Sequence, residues 1–175
     1  MLSLKINDAA IDATGLLAGL AAVGPQGGLA SGLRERAARG IVRRGQVLTW
    51  ASSDGGGEAV LSATGDLTGW ECSDSAFHLE DVVPVEVVIN DGVPAIGDEG
   101  QRVLLLQGLA FALVFSRSVY ALDPPSPVRC IIGVNGTNGT FRFHQIRPGE
   151  SWNLPDLDSY LSDKMMVLDI DPARP

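Results

Sequence analysis

The chain contains few of the residues on which metal and redox chemistry depends. It has two histidines, His78 and His144, and two cysteines, Cys72 and Cys130. Two histidines exclude a three-histidine metal site within one chain, and two distant cysteines form neither a metal knuckle nor a disulfide scaffold. We interpret the cysteines as buried free thiols, with a single disulfide as the alternative. The composition therefore predicts a protein without a metal or a cofactor.

The sequence also lacks the marks of a secreted or membrane-spanning protein. No basic segment precedes the first apolar run, so a signal peptide is not expected. The apolar stretch 103–115 would reach only about 20 Å as a helix, whereas a bilayer core is about 30 Å thick. These features predict a soluble protein that is made inside the cell and has no membrane partner.

Motifs for nucleotide and calcium binding are missing too. The glycine run 55–57 lacks the lysine and the hydroxyl residue of a phosphate loop. Two pairs of acids could hold a hard cation, but neither pair lies in a calcium-loop pattern: Asp156 with Asp158, and Asp169 with Asp171. We predict that these carboxylates are solvated or cap turns.

No reaction centre emerges from the remaining side chains. A cysteine and a histidine can be paired as nucleophile and base, either Cys72 with His78 or Cys130 with His144, but no flanking signature supports such a pair. His144 lies in a predicted strand beside Arg142 and is expected at the surface or at an interface. The three tryptophans could form a sugar-stacking platform, although a core or interface role is favoured: Trp50, Trp70 and Trp152.

What the chain does have is a division of charge. Its net charge is -8, which disfavours broad contact with nucleic acid. Within residues 34–44, however, five arginines stand beside the single acid Glu35 and give about +4, which leaves about -12 for the rest. The arginines are Arg34, Arg36, Arg39, Arg43 and Arg44. Three interpretations of this cluster are open: a solvated helix face, which is favoured, a contact with protein, and a contact with nucleic acid, which is least favoured.

Glycine and proline together predict a fold with many turns. The chain has 21 Gly and 10 Pro, and short β-prone runs alternate with turn residues from Gln46 onward. About eight or nine strands are expected there. The pattern predicts a mainly β domain over residues 46–175, a two-sheet sandwich or a jelly roll. Residues 1–45 are expected to form an extended arm with little core of its own.

Individual segments differ in how clearly they can be assigned. The alternation of Leu2, Leu4 and Ile6 predicts a strand, and residues 30–39 predict a short helix closed by Gly40. Strands are also predicted over 128–134, 140–146, 151–154 and 164–170, the first two joined by a hairpin turn. The run 103–122 favours two central strands or one bent strand, interrupted at Gln107-Gly108, with a buried helix as the rival interpretation.

The predicted chain has an arm that ends in the arginines of 34–44, followed by a β domain with the hairpin 134–140. In this general style it resembles bacteriophage virion proteins of the capsid cement or decoration type. The resemblance implies a non-enzymatic subunit, trimeric by preference, that clamps the major coat protein in the virion. The interface would use Leu2, Leu4 and Ile6 as an added strand and the five arginines as ion-pair donors. Two alternatives are a carbohydrate- or receptor-binding β module and a small carboxylate-dependent hydrolase.

Overall fold

Antiparallel sheets form the framework of the protein, as the sequence predicts. The computed structural model describes residues 1–15, 27–53 and 66–172. In chain order these residues form β1 (Leu2–Ile6), α1 (Asp8–Thr14), α2 (Ser31–Arg39), β2 (Ile41–Arg44), β3 (Val47–Trp50), α3 (Leu67–Ser75), β4 (Phe77–His78), β5 (Val88–Asn90), β6 (Val93–Ala95), α4 (Asp98–Tyr120), β7 (Val128–Val134), β8 (Gly139–Gln145) and β9 (Lys164–Ile170). Short 3₁₀ turns lie at Leu79–Asp81 and Leu157–Ser159.

The largest sheet has the strand order β1-β9-β7-β8-β4, and all its pairs are antiparallel. The hairpin of β7 and β8 turns at residues 135–138, where Asn135 Oδ1 accepts hydrogen bonds from the backbone N–H groups of Thr137 and Asn138. Strands β7 and β9 have the predicted bounds, and β8 differs by one residue at each end. Turn chemistry thus fixes this part of the sheet.

Helix α4 covers the inner face of this sheet. It packs against β7, β8 and β9, and its buried side chains join those of the strands in one core. The centre of the core is aromatic, because six rings lie in mutual contact there: Trp50, Phe77, Phe111, Phe115, Phe141 and Phe143. The closest pair, Phe111 and Phe141, has ring centroids 4.7 Å apart at a nearly perpendicular angle.

The favoured prediction of strands over 103–122 is therefore wrong, and the rival helix is what forms. Gln107 and Gly108, which look like a break between strands, both serve helix packing. Gln107 donates to the Gly28 carbonyl and accepts from Ala30 N–H. A Cβ at Gly108 would lie 2.9 Å from Cγ2 of Ile132, so glycine lets the helix approach β7 closely.

Helix α4 extends beyond the apolar stretch 103–115, which by itself is too short to cross a membrane. With 23 residues it is long and apolar enough to cross a bilayer by length and composition. Of its most apolar window, 61% is buried within the protein. This burial is typical of a core helix in a globular fold.

The mainly β framework forms as predicted, and α4 lies against the inner face of its large sheet. Within the described residues, the further sheets are two-stranded: β2 with β3, and β5 with β6. Residues 70–72, a weaker strand candidate of the pattern after Gln46, lie in α3, and the strand predicted over 151–154 is an irregular turn, so both assignments are wrong. The β-prone pattern after Gln46 also predicts a strand over 59–63, which lies outside the described residues.

The described part of residues 1–45 is not an extended arm, because it belongs to the same core. Strand β1 pairs with β9 of its own subunit, with Leu2 opposite Ile170 and Ile6 opposite Met166. Leu33 of α2 is fully buried, and α2 packs on α4. The short helix predicted over 30–39 is confirmed as α2, which ends at Gly40 with φ 69°.

Helix α3 closes one edge of the large sheet with side chains instead of a strand. Strand β4 pairs with β8 only at two positions. Beyond it, Ser75 Oγ donates to the Phe143 carbonyl and accepts from Phe143 N–H, and Glu71 Oε2 accepts from Gln145 N–H, each at 2.8 Å. Residues 71 and 75 are one helical turn apart, which matches the spacing of alternate strand residues. The edge of β8 is thereby protected from pairing with other strands.

Candidate functional site

The most buried charged group of the described residues is Glu71, which is fully buried and paired with Arg147. Its two oxygens accept four hydrogen bonds, from Leu48 N–H, Gln145 N–H and two nitrogens of Arg147, at 2.7–2.8 Å. A carboxylate saturated in this way has no lone pair free to act as a base. Glu71 and Arg147 therefore join β3, α3 and β8 and do not form a reaction centre.

Neither cysteine offers a reactive thiolate near neutral pH. Cys72 and Cys130 are free and buried, as predicted, and burial raises the pKa of Cys72 to about 12 and that of Cys130 well above its usual value. Both thiols therefore stay protonated near neutral pH. His144, expected at a surface, is fully buried, so that expectation is wrong.

Burial also lowers the pKa of His144, and the nearby charge of Arg129 adds to this effect, whereas Glu71 and the hydrogen bond to the Gln145 carbonyl oppose it. That bond joins Nδ1 to the carbonyl oxygen at 2.8 Å, and Nε2 has no partner among the described residues. The neutral ring is thus the form that the fold accepts.

Stability is therefore expected to fall with acidification. Because the folded-state pKa lies below the ordinary 6.5, the unfolded chain binds a proton first as pH falls. The free energy of unfolding should begin to drop as pH falls through about 6.5, by about 1.4 kcal/mol for each unit of pKa difference. Urea unfolding between pH 7.5 and 5.5 measures this effect. His144→Phe should flatten the profile and His78→Gln, at an exposed site, should not; equal profiles in all three proteins would contradict the assignment to His144.

The five arginines of residues 34–44 bind mostly within their own subunit. Arg34 donates to the Leu29 carbonyl, Arg44 donates to the Ser53 carbonyl, and Arg43 donates to Gln145 and Ser126. The guanidinium carbon of Arg36 lies 4.1 Å from the Phe77 ring centroid, and burial lowers the pKa of Arg36. Arg39, at the exposed end of α2, makes no such contact with the described residues.

None of these arginines forms an ion pair with a carboxylate of the described residues. Their hydrogen-bonding partners are neutral groups, and the nearby acids Glu35 and Asp81 are fewer than the five arginines, so the cluster keeps a net positive charge. Arg34, Arg39 and Arg44 are exposed. We call this the basic surface, defined by these three exposed arginines.

An exposed apolar hairpin, which sequence reasoning missed as a site, lies elsewhere on the molecule. Strands β5 and β6 join through Asp91 and Gly92, whose φ angles of 50° and 81° suit a tight two-residue turn. Large apolar side chains around this turn face solvent: Val87 at 38%, Val88 at 46%, Ile89 at 63% and Val93 at 55% exposure. The consecutive apolar residues on both sides of an Asn-Asp-Gly turn were the available signal.

The hairpin is firmly held at its base. Ile96 is buried, its N–H donates to the Gly136 carbonyl at 2.8 Å, and its own carbonyl accepts from Gln101 Nε2 at 2.7 Å. Four exposed acids lie close in sequence to the apolar side chains, and two of them, Glu86 and Glu99, line one depression together with Val88; the four are Glu86, Asp91, Asp98 and Glu99. An apolar centre with a charged rim is the usual anatomy of a protein interface. We call this surface the acidic-rimmed hairpin.

The predicted interface strand lies at the open edge of the large sheet. Strand β1 is the last strand in the sheet order, and the described residues supply no further strand beyond it. Leu2 is 44% exposed, whereas Leu4 and Ile6 pack against the core. The three residues thus occupy one face of β1, next to β9 of their own subunit.

Together these features define a class: an antiparallel sheet covered by one long helix, with an exposed apolar hairpin and no metal cluster among the described residues. The model of the Uncharacterized protein PM0498 family matches residues 29–174, and the chain belongs to that family. The matched range contains the hairpin and the basic surface. No curated protein and no solved structure matches the chain.

Proposed function

We propose that this protein is a non-enzymatic structural subunit that associates with further copies of itself through the acidic-rimmed hairpin. The observation that carries the proposal is the exposure of Val87, Val88, Ile89 and Val93 in one contiguous ribbon. A two-stranded ribbon is marginal in water by itself, and exposed apolar clusters of this kind mark contact sites. Docking would bury these side chains and stabilise the ribbon.

Charge favours the basic surface of a second copy as the docking partner. The acids Glu86, Asp91, Asp98 and Glu99 would repel one another if two hairpins met around a twofold axis. Against Arg34, Arg39 and Arg44 they find the opposite sign. A contact between two different surfaces is heterologous, so it closes into a ring, for which a trimer is our preferred size, or extends further.

The setting we propose is a bacteriophage virion, in line with the resemblance noted above. There the oligomer would act as a cement or decoration subunit bound to the major coat protein. The open edge of β1 supplies a second contact, since an added strand of the coat protein could pair with it. We thus keep the predicted interface role of Leu2, Leu4 and Ile6, as a contact between this edge and the coat protein. Such a subunit should co-sediment with assembled particles.

Paired charge reversals test the self-association directly. Light scattering of the wild type at low salt is expected to give a mass above that of a monomer, and Ile89→Asp should reduce it to a monomer. Glu86→Lys with Glu99→Lys, or Arg34→Glu with Arg39→Glu, should each weaken association because both contact surfaces then carry one sign. A mixture of these two double variants should associate again.

Leu113→Asp is the matched control, because Leu113 is also exposed, at 43%, but lies on α4 away from the hairpin. Its mass should equal that of the wild type. A wild-type protein that stays monomeric at all concentrations and at low salt would overturn the proposal. So would a mixture of the charge-reversed variants that remains monomeric.

A further inference from the structure

A groove opens on the outer face of the large sheet, opposite α4, and the proposed self-association does not use it. Its volume is about 330 Å³, at the lower end of the range for small-molecule sites. Strand residues form the floor, including Ile131, Gly133 and Thr140, and the segment between β8 and β9 contributes Trp152 and Tyr160. The glycine keeps the floor open, since a Cβ there would lie 3.1 Å from Sδ of Met165.

The groove contains a cation that has no ion-pair partner among the described residues. Arg142 projects from β8 into it and makes no hydrogen bond or ion pair with the described residues. The guanidinium carbon of Arg142 lies 5.6 Å from the centroid of the Trp152 ring. Trp152 is 44% exposed. This cation–π contact places the guanidinium beside the ring and leaves its N–H donors free for a ligand.

Polar acceptors line the same groove. Asp163 Oδ1 accepts a hydrogen bond from Asn135 Nδ2 at 2.7 Å, which orients the carboxylate, and Oδ2 has no partner among the described residues. The Thr140 hydroxyl makes only a long hydrogen bond of 3.5 Å, to the Gly133 carbonyl. These groups suit a ligand with several hydroxyls. The aromatic rings of Trp152 and Tyr160 suit the apolar face of a sugar ring.

We propose that the groove binds an acidic glycan, a chain of sugar rings of which one carries a carboxylate. Arg142 would pair with the carboxylate in a bidentate manner, Trp152 would pack against the ring, and Asp163 would accept from hydroxyls. A carboxylate is favoured over a phosphate for a physical reason. The groove offers one arginine, and two acids lie in or beside it: Asp163, and Glu80 at 3.3 Å from Nδ1 of His78. A single cation compensates a monoanion better than a dianion.

Titration of tryptophan fluorescence with defined sugars tests the site. The probes are a glucuronic-acid oligosaccharide and a sialylated trisaccharide, compared with a neutral glucose oligosaccharide and with adenosine monophosphate. We expect saturable binding of at least one acidic sugar, and weaker binding of both other probes. Arg142→Gln should reduce that affinity by about ten- to hundredfold, the value of a charge-assisted hydrogen-bonded pair.

Arg102→Gln is the matched control, because Arg102 lies on α4 and has only an exposed ion pair with Glu99. It should bind the acidic sugar as the wild type does. Arg142→Gln should unfold close to the wild-type urea concentration, since Arg142 has no hydrogen bond or ion pair with the described residues to lose and its contact with the Trp152 ring lies at an exposed site. Failure of both acidic sugars to bind, tighter binding of the nucleotide, or unchanged affinity in Arg142→Gln would each overturn the proposal. The oligomeric mass is a separate readout, so failure here leaves the proposed self-association standing.

Discussion

Replacing Glu71 with alanine is expected to lower the free energy of unfolding by about 3–5 kcal/mol, because it leaves a partly buried arginine without its counterion. The side chain of Arg147 is only 11% exposed. The change also removes the acceptors of Leu48 N–H and Gln145 N–H, which lie at 2.7 and 2.8 Å. Urea unfolding followed by circular dichroism measures the loss.

Glu99→Ala, compared at high salt where the proposed association is screened, is the matched control for this experiment. Glu99 also pairs with an arginine, at 3.4 Å, but the side chains of Arg102 and Glu99 are 42% and 77% exposed. Water screens such a pair, so its removal should cost at most about 1 kcal/mol. Glu71→Gln, which keeps one acceptor oxygen, should lie between the two and remains measurable if the alanine variant does not fold. Equal losses for Glu71→Ala and Glu99→Ala would contradict the role assigned to Glu71.

The elements that the sequence predicts well are those with local signals. The hairpin of β7 and β8 follows from the Asn-Gly turn, and β1 and β9 follow from their runs of β-prone residues. The helix α2 ends at Gly40, where positive φ favours glycine. In each case residues close in sequence decide the local geometry.

The candidate sites depend on contacts that no local pattern contains. The groove combines side chains from His78 to Met165, which only the order of strands in the sheet brings together. The hairpin of β5 and β6 has the apolar pattern of a buried strand, and only the position of its base at Ile96 and Gly136 shows that it faces solvent. The sequence shows the positive charge of the arginine cluster, but it does not show that these arginines donate hydrogen bonds to neutral groups.

The long helix α4 was the rival and not the favoured interpretation because it is apolar on most sides. Residues Leu104, Leu105, Leu106 and Leu109 are all buried, since β7–β9 lie on one side and α1 and α2 on others. A helix enclosed in this way loses the polar stripe that reveals a period of 3.6 residues. Its valines and phenylalanines then favour a strand by propensity alone.

A pair of substitutions in α4 separates the helix and strand interpretations of residues 103–122. It has the second-largest expected effect on the free energy of unfolding. Phe111→Ala should lower the free energy of unfolding by about 3–5 kcal/mol, because it removes a fully buried ring from the aromatic centre. Leu113→Ala should change it by no more than about 0.5 kcal/mol, as at most surface positions. Leu113 is 43% exposed, since two residues of helix turn the side chain by about 200°.

In a strand, residues 111 and 113 would share one face, and both substitutions would remove core contacts. Residues 111 and 115 share a face in the helix, so Phe115→Ala should resemble Phe111→Ala in its cost. Urea unfolding of the three variants measures the pattern, and Phe111→Leu, with a smaller expected loss, keeps the comparison possible if the alanine variant does not fold. Large and equal losses at 111 and 113 would contradict the helix. A large loss at 111 and 115 with little at 113 follows only from helical periodicity, and it would tie the aromatic centre of the core to the segment whose sequence alone favoured strands.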